Sequence, residues 1–198
     1  PLFSRFFKTL GFVRCCLKIV FTLKITLTGK EKPMLRSIYA MNLASVALVM
    51  FTLQIIWSCA DAKCHRLWKT VNALLAVFAV AAILYTTVFT RSPGEHEVKL
   101  RPFAALIAAK KQPELYRAMF MNIFLFFPFG LSFSSALPGK RVGARVIVTA
   151  LAGFLLSAAI EYAQFRYGLG VAEADDVICN TLGALVGSLS LIGAKRLE

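Results

Sequence analysis

Charged residues are scarce in this chain of 198 residues. Charged side chains make up 17% of the sequence, with 23 lysines and arginines and only 10 aspartates and glutamates, whereas a typical soluble domain has about 25%. Hydrophobic residues reach 58%. A deficit of this kind arises when long stretches carry no charge, and it argues against a soluble domain.

Short motifs of classical soluble enzymes are also missing. The sequence contains no P-loop, H-E-x-x-H, G-x-S-x-G or G-x-G-x-x-G motif. Cys59, Cys64 and His65 form a C-x4-C-H arrangement without a second pair of ligands, which is a weak signal for zinc. We therefore predict neither a cofactor nor a metal site from these motifs.

Long uncharged stretches are what the chain has in their place. Four of them carry no charge at all, and a fifth is interrupted once, by Glu161. They lie at 37–57, 71–90, 118–137, 146–165 and 177–194. Each has the roughly 17–25 residues that a helix needs to cross about 30 Å of hydrocarbon. The sequence predicts an all-α transmembrane bundle of about five helices.

The charges that remain are mostly basic, with a formal net charge of +13. Lysines and arginines beside apolar spans contact anionic lipid head groups and orient the protein in the membrane. No basic stripe alternates with aromatic residues in the way that nucleic-acid binding requires, so we expect membrane lipids and no nucleic acid as partners. The segment 1–36 is apolar with interspersed basic residues, which predicts a basic amphipathic helix at the interface.

The acidic and amide residues are expected to meet at one end of the bundle. The loop at 91–117 follows the second span and the loop at 166–176 follows the fourth. An even number of crossings separates the two loops, so both lie on the same side of the membrane. The polar residues expected at this end are Arg91, Arg101, Asn122, Glu161, Gln164, Asp175, Asp176 and Asn180.

Glu161 is expected to lie below the membrane surface. The uncharged part of its span covers 146–160, which is about 22 Å at about 1.5 Å per residue and falls short of the hydrocarbon thickness. A carboxyl group at this depth costs a few kcal/mol unless it faces the bundle interior and finds a partner. The row Gly153, Ser157, Glu161 and Gln164 is expected to pack against a similar row of the fifth span, which includes Gly183 and Gly187.

Three interpretations are open for Glu161, Asp175 and Asp176. They are structural if Arg91 and Arg101 neutralise them, and Asp176 suits the N-terminus of a helix. They belong to a binding pocket if the arginines hold a phosphate or carboxylate while the acids and amides bind amines and hydroxyls. They are catalytic if they serve as acid, base or Mg²⁺ ligands.

Several short patterns occur together in the second half of the chain. They are R-S at 91–92, R-P-F at 101–103, N-I-F-L-F-F-P-F-G at 122–130, S-A-A-I-E-Y-A-Q at 157–164 and D-D-V-I-C-N-T-L-G-A at 175–184. In this order they resemble the VanZ-like family of small bacterial membrane proteins, over roughly residues 75–194. The sequence departs from the family at Leu169, where members commonly carry an arginine, and at Glu173, which replaces an earlier acid.

The resemblance implies a multi-pass protein of the bacterial inner membrane with a role in the cell envelope, of the type that confers resistance to the glycopeptide teicoplanin. The expected organisation is the basic segment 1–36, an additional transmembrane helix and loop at 37–70, and a VanZ-like four-helix domain at 71–198. The favoured function is to bind or modulate an envelope lipid, precursor or glycopeptide in the polar pocket. The alternative is a membrane-embedded enzyme on a lipid-linked substrate.

The orientation in the membrane is left open by the charges. With five spans and the N-terminus inside, more lysines and arginines face the cytoplasm, and the acidic cluster faces it too. The orientation reverses if the N-terminal segment also crosses or if the chain starts at Met34. On the resemblance, we expect the cluster on the outer face.

Overall fold

The computed structural model describes residues 43–63, 66–91, 97–109, 112, 114–139 and 141–197. The predicted interfacial helix at 1–36, residues 37–42 of the predicted first span, and Cys64 and His65 lie outside the described residues. Within the described part, the chain is almost entirely helical, and five helices are long and apolar enough to cross a membrane. The prediction of an all-α bundle with five spans is confirmed.

The first two spans are α1 (Leu43–Lys63) and α2 (Arg66–Leu84), which continues into a π-helical turn, Tyr85–Phe89. Strand β1 (Val98–Lys99) and the short helix α3 (Ala104–Ala109) follow. Span three is α4 (Glu114–Ala136), and span four is α5 (Val142–Tyr167). Strand β2 (Ala172–Glu173) leads into span five, which consists of α6 (Ala174–Ser188) and α7 (Ser190–Leu197).

Helix boundaries differ from the uncharged stretches by several residues. Span one extends to Lys63 rather than 57, and span four begins at Val142 rather than 146. The added turn of span one contains Asp61, whose carboxylate accepts a hydrogen bond from Trp68 Nε1. The added turn of span four contains Arg145, whose guanidinium donates to the carbonyl of Ser134. A charged residue therefore continues a membrane helix where the fold supplies it with partners.

Span three lies at the centre and packs closely against spans two and five. A Cβ atom added to Gly183 would collide with the carbonyl oxygen of Ile123, and one added to Gly187 with that of Phe127. These glycines therefore let two helix backbones touch, as small residues do in membrane proteins. The expectation that this row packs against span four holds at Asn180, which reaches Ser157, but was wrong for Gly183 and Gly187, because the absence of side chains there accommodates the backbone of span three.

Span four contacts span five through Gly153 and Ser157. A Cβ atom on Gly153 would lie 2.5 Å from the Cβ atom of Ala184, and the Asn180 amide reaches Ser157 one turn further along. The apolar core that joins the spans consists of Ala79, Ile83, Phe126, Phe129, Ile160 and Ala184. Pro128 lies within the helix of span three, on an exposed position.

Gly168 ends span four and redirects the chain. Its backbone is left-handed, with φ +60°, and the N–H of Leu169 donates to the carbonyl of Gln164 at 2.8 Å, which is a common way to end a helix. The following residues return across the end of the bundle and form β2, which pairs in parallel with β1. The prediction that the loops after spans two and four lie on the same side is confirmed.

Candidate polar site at one rim of the bundle

The end of the bundle where β1 and β2 meet is here called the site rim. It comprises the two strands, the ends of spans two and four, and the beginnings of spans three and five. The N–H of Ala172 donates to the carbonyl of Glu97 at 3.0 Å, and the Lys99 ammonium lies 3.7 Å from the Glu173 carboxylate. These contacts hold the two loops together over the polar residues beneath them.

Glu161 lies beneath the loops and is 8% exposed. Its Oε2 atom accepts a hydrogen bond from the backbone N–H of Glu173 at 3.0 Å. Among the described residues, no side chain donates a hydrogen bond to either carboxylate oxygen. Asp176 and Arg91 both interact electrostatically with this carboxylate. Glu161 therefore faces the interior of the site rim but has few direct partners.

Asp176 connects span five to span three. Its Oδ1 atom accepts a hydrogen bond from the Asn122 amide nitrogen at 2.7 Å. Its charge interacts with the negative charges of Glu173 and Asp175 and with the positive charge of Arg91. Asn122 and Asp176 thus come together with Glu161 as the sequence predicts, and their side chains belong to three different spans.

Asp175 has a different environment from its neighbour. It is 4% exposed, and its carboxylate accepts hydrogen bonds from the backbone N–H groups of Phe103 and Ala105, the second at 2.6 Å. Phe103 adopts φ +61°, a left-handed conformation that few non-glycine residues adopt. Both carboxylate oxygens are therefore used to fix the loop that precedes α3, which is a structural role.

Gln164 and Asn180 are almost completely buried, at 1% and 4% exposure. The Gln164 amide nitrogen donates to the carbonyl of Thr87 at 2.9 Å, within the π-helical turn, and the Asn180 amide nitrogen donates to the Ser157 hydroxyl at 2.8 Å. The amide oxygens, Gln164 Oε1 and Asn180 Oδ1, are buried and have no hydrogen-bond partner among the residues that the structure describes. Buried polar groups without partners are rare in proteins.

The two predicted arginines differ in position. The guanidinium of Arg91 packs against Gly170, because a Cβ atom added to Gly170 would lie 2.8 Å from Nη1 of Arg91. Its positive charge interacts with the carboxylates of Glu161 and Asp176. Arg101 is exposed, and its backbone carbonyl accepts the N–H of Ala104 at 3.4 Å. Within the described residues, the structure shows no contact between the Arg101 side chain and the carboxylates.

Sequence reasoning missed Arg117 at this rim. It lies in the first turn of span three, and its Nε and Nη2 atoms are buried without a hydrogen-bond partner. The available signal was an arginine directly before the uncharged stretch at 118–137. The loop N–H groups that bind Asp175 and Glu161 were also missed, because a sequence does not show where backbone donors point.

The arrangement favours hydrogen bonding and charge recognition over metal binding. Among the residues that the structure describes, no three His, Cys, Asp or Glu side chains lie close enough together to hold a metal ion. The positions of the side chains therefore do not support the interpretation in which the acids bind Mg²⁺. The site rim offers two incompletely bonded carboxylates, two amide oxygens without a partner among the described residues, the guanidinium of Arg91 close to the carboxylates and that of Arg117 at the start of span three.

Comparison with known proteins agrees with the architecture. A family model described as VanZ/LLP1 matches residues 70–195, which is more than half of the chain and includes spans two to five. Neither the comparison with curated proteins nor the comparison with solved structures returned a match. All the residues that build the site rim lie inside the matched region, and the chain belongs to the VanZ/LLP1 family.

Proposed function

We propose that this protein resides in the bacterial inner membrane and binds the polar head of an envelope molecule at the site rim. The observation that carries the proposal is Glu161, a carboxyl group within a membrane span that faces neighbouring spans and loops rather than lipid. Ionisable residues in such positions are costly and mark functional sites by default. A purely structural carboxylate would be expected to have its oxygens fully hydrogen-bonded.

The depth of the site suits a molecule that enters from the bilayer. Span four continues from Glu161 to Tyr167, which is about 9 Å at about 1.5 Å per residue. This places the carboxylate near the boundary between the hydrocarbon and the head groups. A lipid, a lipid-linked precursor or a glycopeptide held close to the membrane surface would bring its polar part to this level.

The family supports a role in the cell envelope of the kind associated with glycopeptide resistance. Such a role requires the site rim to face outward. Labelling of a cysteine placed at Leu169, in a variant without the native cysteines, tests this in intact cells. An outward-facing loop reacts with a membrane-impermeant maleimide, and a loop that reacts only after the cells are broken contradicts the outward orientation.

Native mass spectrometry of the protein released from membranes tests the binding function. Wild-type protein is expected to retain an envelope molecule that Glu161→Gln and Asp176→Asn lose. Glu114→Gln is the matched control, because Glu114 is an exposed carboxylate at the same end of the bundle. Equal retention by all four proteins, or none by any, contradicts the proposal.

Chemical conversion of the retained molecule over time by wild type alone favours the membrane-embedded enzyme, with Glu161 and Asp176 as acid and base.

A further inference from the structure

We propose that the group recognised at the site rim is a protonated amine, carried by the polar head of its ligand. This inference rests on the proposed function and specifies the chemistry of the same site. It depends on which polar atoms around Glu161 lack partners, and on the sign of the charges that surround them.

Two buried atoms near Glu161 have no hydrogen-bond partner among the described residues, and both are acceptors; the unpaired donors of Arg117 belong to span three, and Arg117 is not among the charges that act on Glu161 or Asp176. Gln164 lies one turn after Glu161 on span four, and its Oε1 atom has no partner. Asn180 donates to Ser157, one turn before Glu161, and its Oδ1 atom has no partner either. The amide nitrogens of both side chains are already engaged. A molecule that completes these bonds must therefore supply donors.

The carboxylates add further acceptors. Oε1 of Glu161 and Oδ2 of Asp176 receive no hydrogen bond from the residues that the structure describes. Ionised carboxylates have no donor to offer. An ammonium group has three N–H donors and no acceptor, so it matches a site in which the free positions are oxygen atoms.

The charges that act on the two carboxylates favour a cation over a neutral hydroxyl. Glu161 and Asp176 repel each other, and both are repelled by Glu173, while Arg91 is the positive partner identified for each. A negative excess close to hydrocarbon is unfavourable until a counter-charge arrives. A water molecule would satisfy one or two of the oxygens, but it would leave this excess uncompensated.

A bare metal cation fits less well than an ammonium group. Ca²⁺ takes six to eight oxygen ligands and Mg²⁺ requires a near-octahedral set, and the described residues contain no group of three His, Cys, Asp or Glu side chains suited to a metal. An ammonium group needs fewer partners and tolerates amide oxygens. Amines reach the site from two sources, the head group of an aminophospholipid or a soluble amine.

Calorimetric titration of the purified protein in detergent micelles tests the inference with four probes. These are dihexanoyl phosphatidylethanolamine, its N-acetyl derivative, dihexanoyl phosphatidylglycerol and free ethanolamine. The first is expected to bind at least tenfold more tightly than the second and third, which lack the amine. Ethanolamine that binds as tightly as the first probe identifies a soluble amine, and ethanolamine that binds at least tenfold more weakly identifies a lipid head group.

Substitutions test whether the preference for the probe with a free amine depends on the site rim. Glu161→Gln is expected to bind phosphatidylethanolamine at least tenfold more weakly and to lose the preference over the N-acetyl derivative, whereas Glu114→Gln retains both. Asp176→Asn is the second variant, and thermal unfolding shows that each protein is folded. If phosphatidylglycerol or the N-acetyl probe binds as tightly and still depends on Glu161, the amine is wrong but the head-group site stands. If no probe depends on Glu161 or Asp176, the inference is wrong, and retention of an envelope molecule in the native mass spectra decides the proposed function separately.

Discussion

Each end of the bundle holds a carboxylate near an arginine, buried for Glu161 and half-buried for Asp61, but the two ends complete its bonding differently. At the opposite rim, formed by the ends of spans one and three and the beginnings of spans two and four, the Asp61 carboxylate accepts hydrogen bonds from Trp68 Nε1 at 2.6 Å and from the Ser135 hydroxyl at 2.7 Å. Arg145 lies within electrostatic reach and donates to the carbonyl oxygens of Ser134 and Ser135. Both oxygens of Asp61 are therefore engaged.

At the site rim, Glu161 accepts one backbone hydrogen bond, and the amide oxygens beside it have no partner. A polar network that is fully hydrogen-bonded stabilises and fixes a structure, while a partly bonded one is costly. The opposite rim is therefore a structural element that joins four spans. The incomplete bonding at the site rim is what the proposed ligand would complete.

Substitution of Asp61 by alanine is expected to give the largest loss of stability. It leaves Trp68 Nε1 without its acceptor and removes a bond between span one and span three, and unpaired buried donors cost about 1–3 kcal/mol each. The lost hydrogen bond between membrane helices adds about 0.6 kcal/mol on average. From these two costs together we expect a decrease of about 2–3 kcal/mol in the free energy of unfolding. Titration with SDS in mixed micelles measures it, and a decrease below about 0.5 kcal/mol would show that the opposite rim is not structural.

Substitution of Asp175 tests whether a fully hydrogen-bonded carboxylate is structural within the site rim as well. Both of its oxygens accept backbone N–H groups, so Asp175→Ala is expected to behave like a structural substitution. We expect a loss of about 1–2 kcal/mol, because the released N–H groups regain water. Hydrogen–deuterium exchange should accelerate at the amides of Phe103 and Ala105, and Glu114→Ala should leave it unchanged. Unchanged exchange at these two amides would mean that Asp175 does not hold the loop.

The fold could be predicted from the sequence because membrane spans depend on few physical requirements. Uncharged length defined the five spans, and the parity of crossings placed the loops after spans two and four together, as the β1–β2 pairing confirms. Helical spacing also brought Asn180 near the row of Ser157 and Glu161. These inferences need only the geometry of a helix and the thickness of the bilayer.

The finer contacts could not be predicted, because they depend on how helices rotate and where backbone groups point. Gly183 and Gly187 were assigned to the wrong neighbour, although Asn180 of the same row does reach span four, since a glycine face fits any closely approaching helix. Asp175 and Asp176 are adjacent in sequence, yet one binds loop N–H groups and the other binds Asn122. The sequence contains no sign of that difference, and the roles of the two aspartates emerge only from the fold.

Matched carboxyl-to-amide substitutions at the two rims give the smallest effect on stability and the sharpest comparison. Glu161→Gln keeps an oxygen for the N–H of Glu173 and removes a charge that Asp176 and Glu173 repel. Removal of a poorly compensated buried charge is often neutral or stabilising, so the free energy of unfolding should change by less than about 1 kcal/mol. Asp61→Asn replaces one of two hydrogen-bonded oxygens by an NH₂ group that faces a donor, which costs about 1–2 kcal/mol. If Glu161→Gln instead destabilises the protein as much as Asp61→Asn in the same SDS titration, both carboxylates are structural and the difference between the rims disappears.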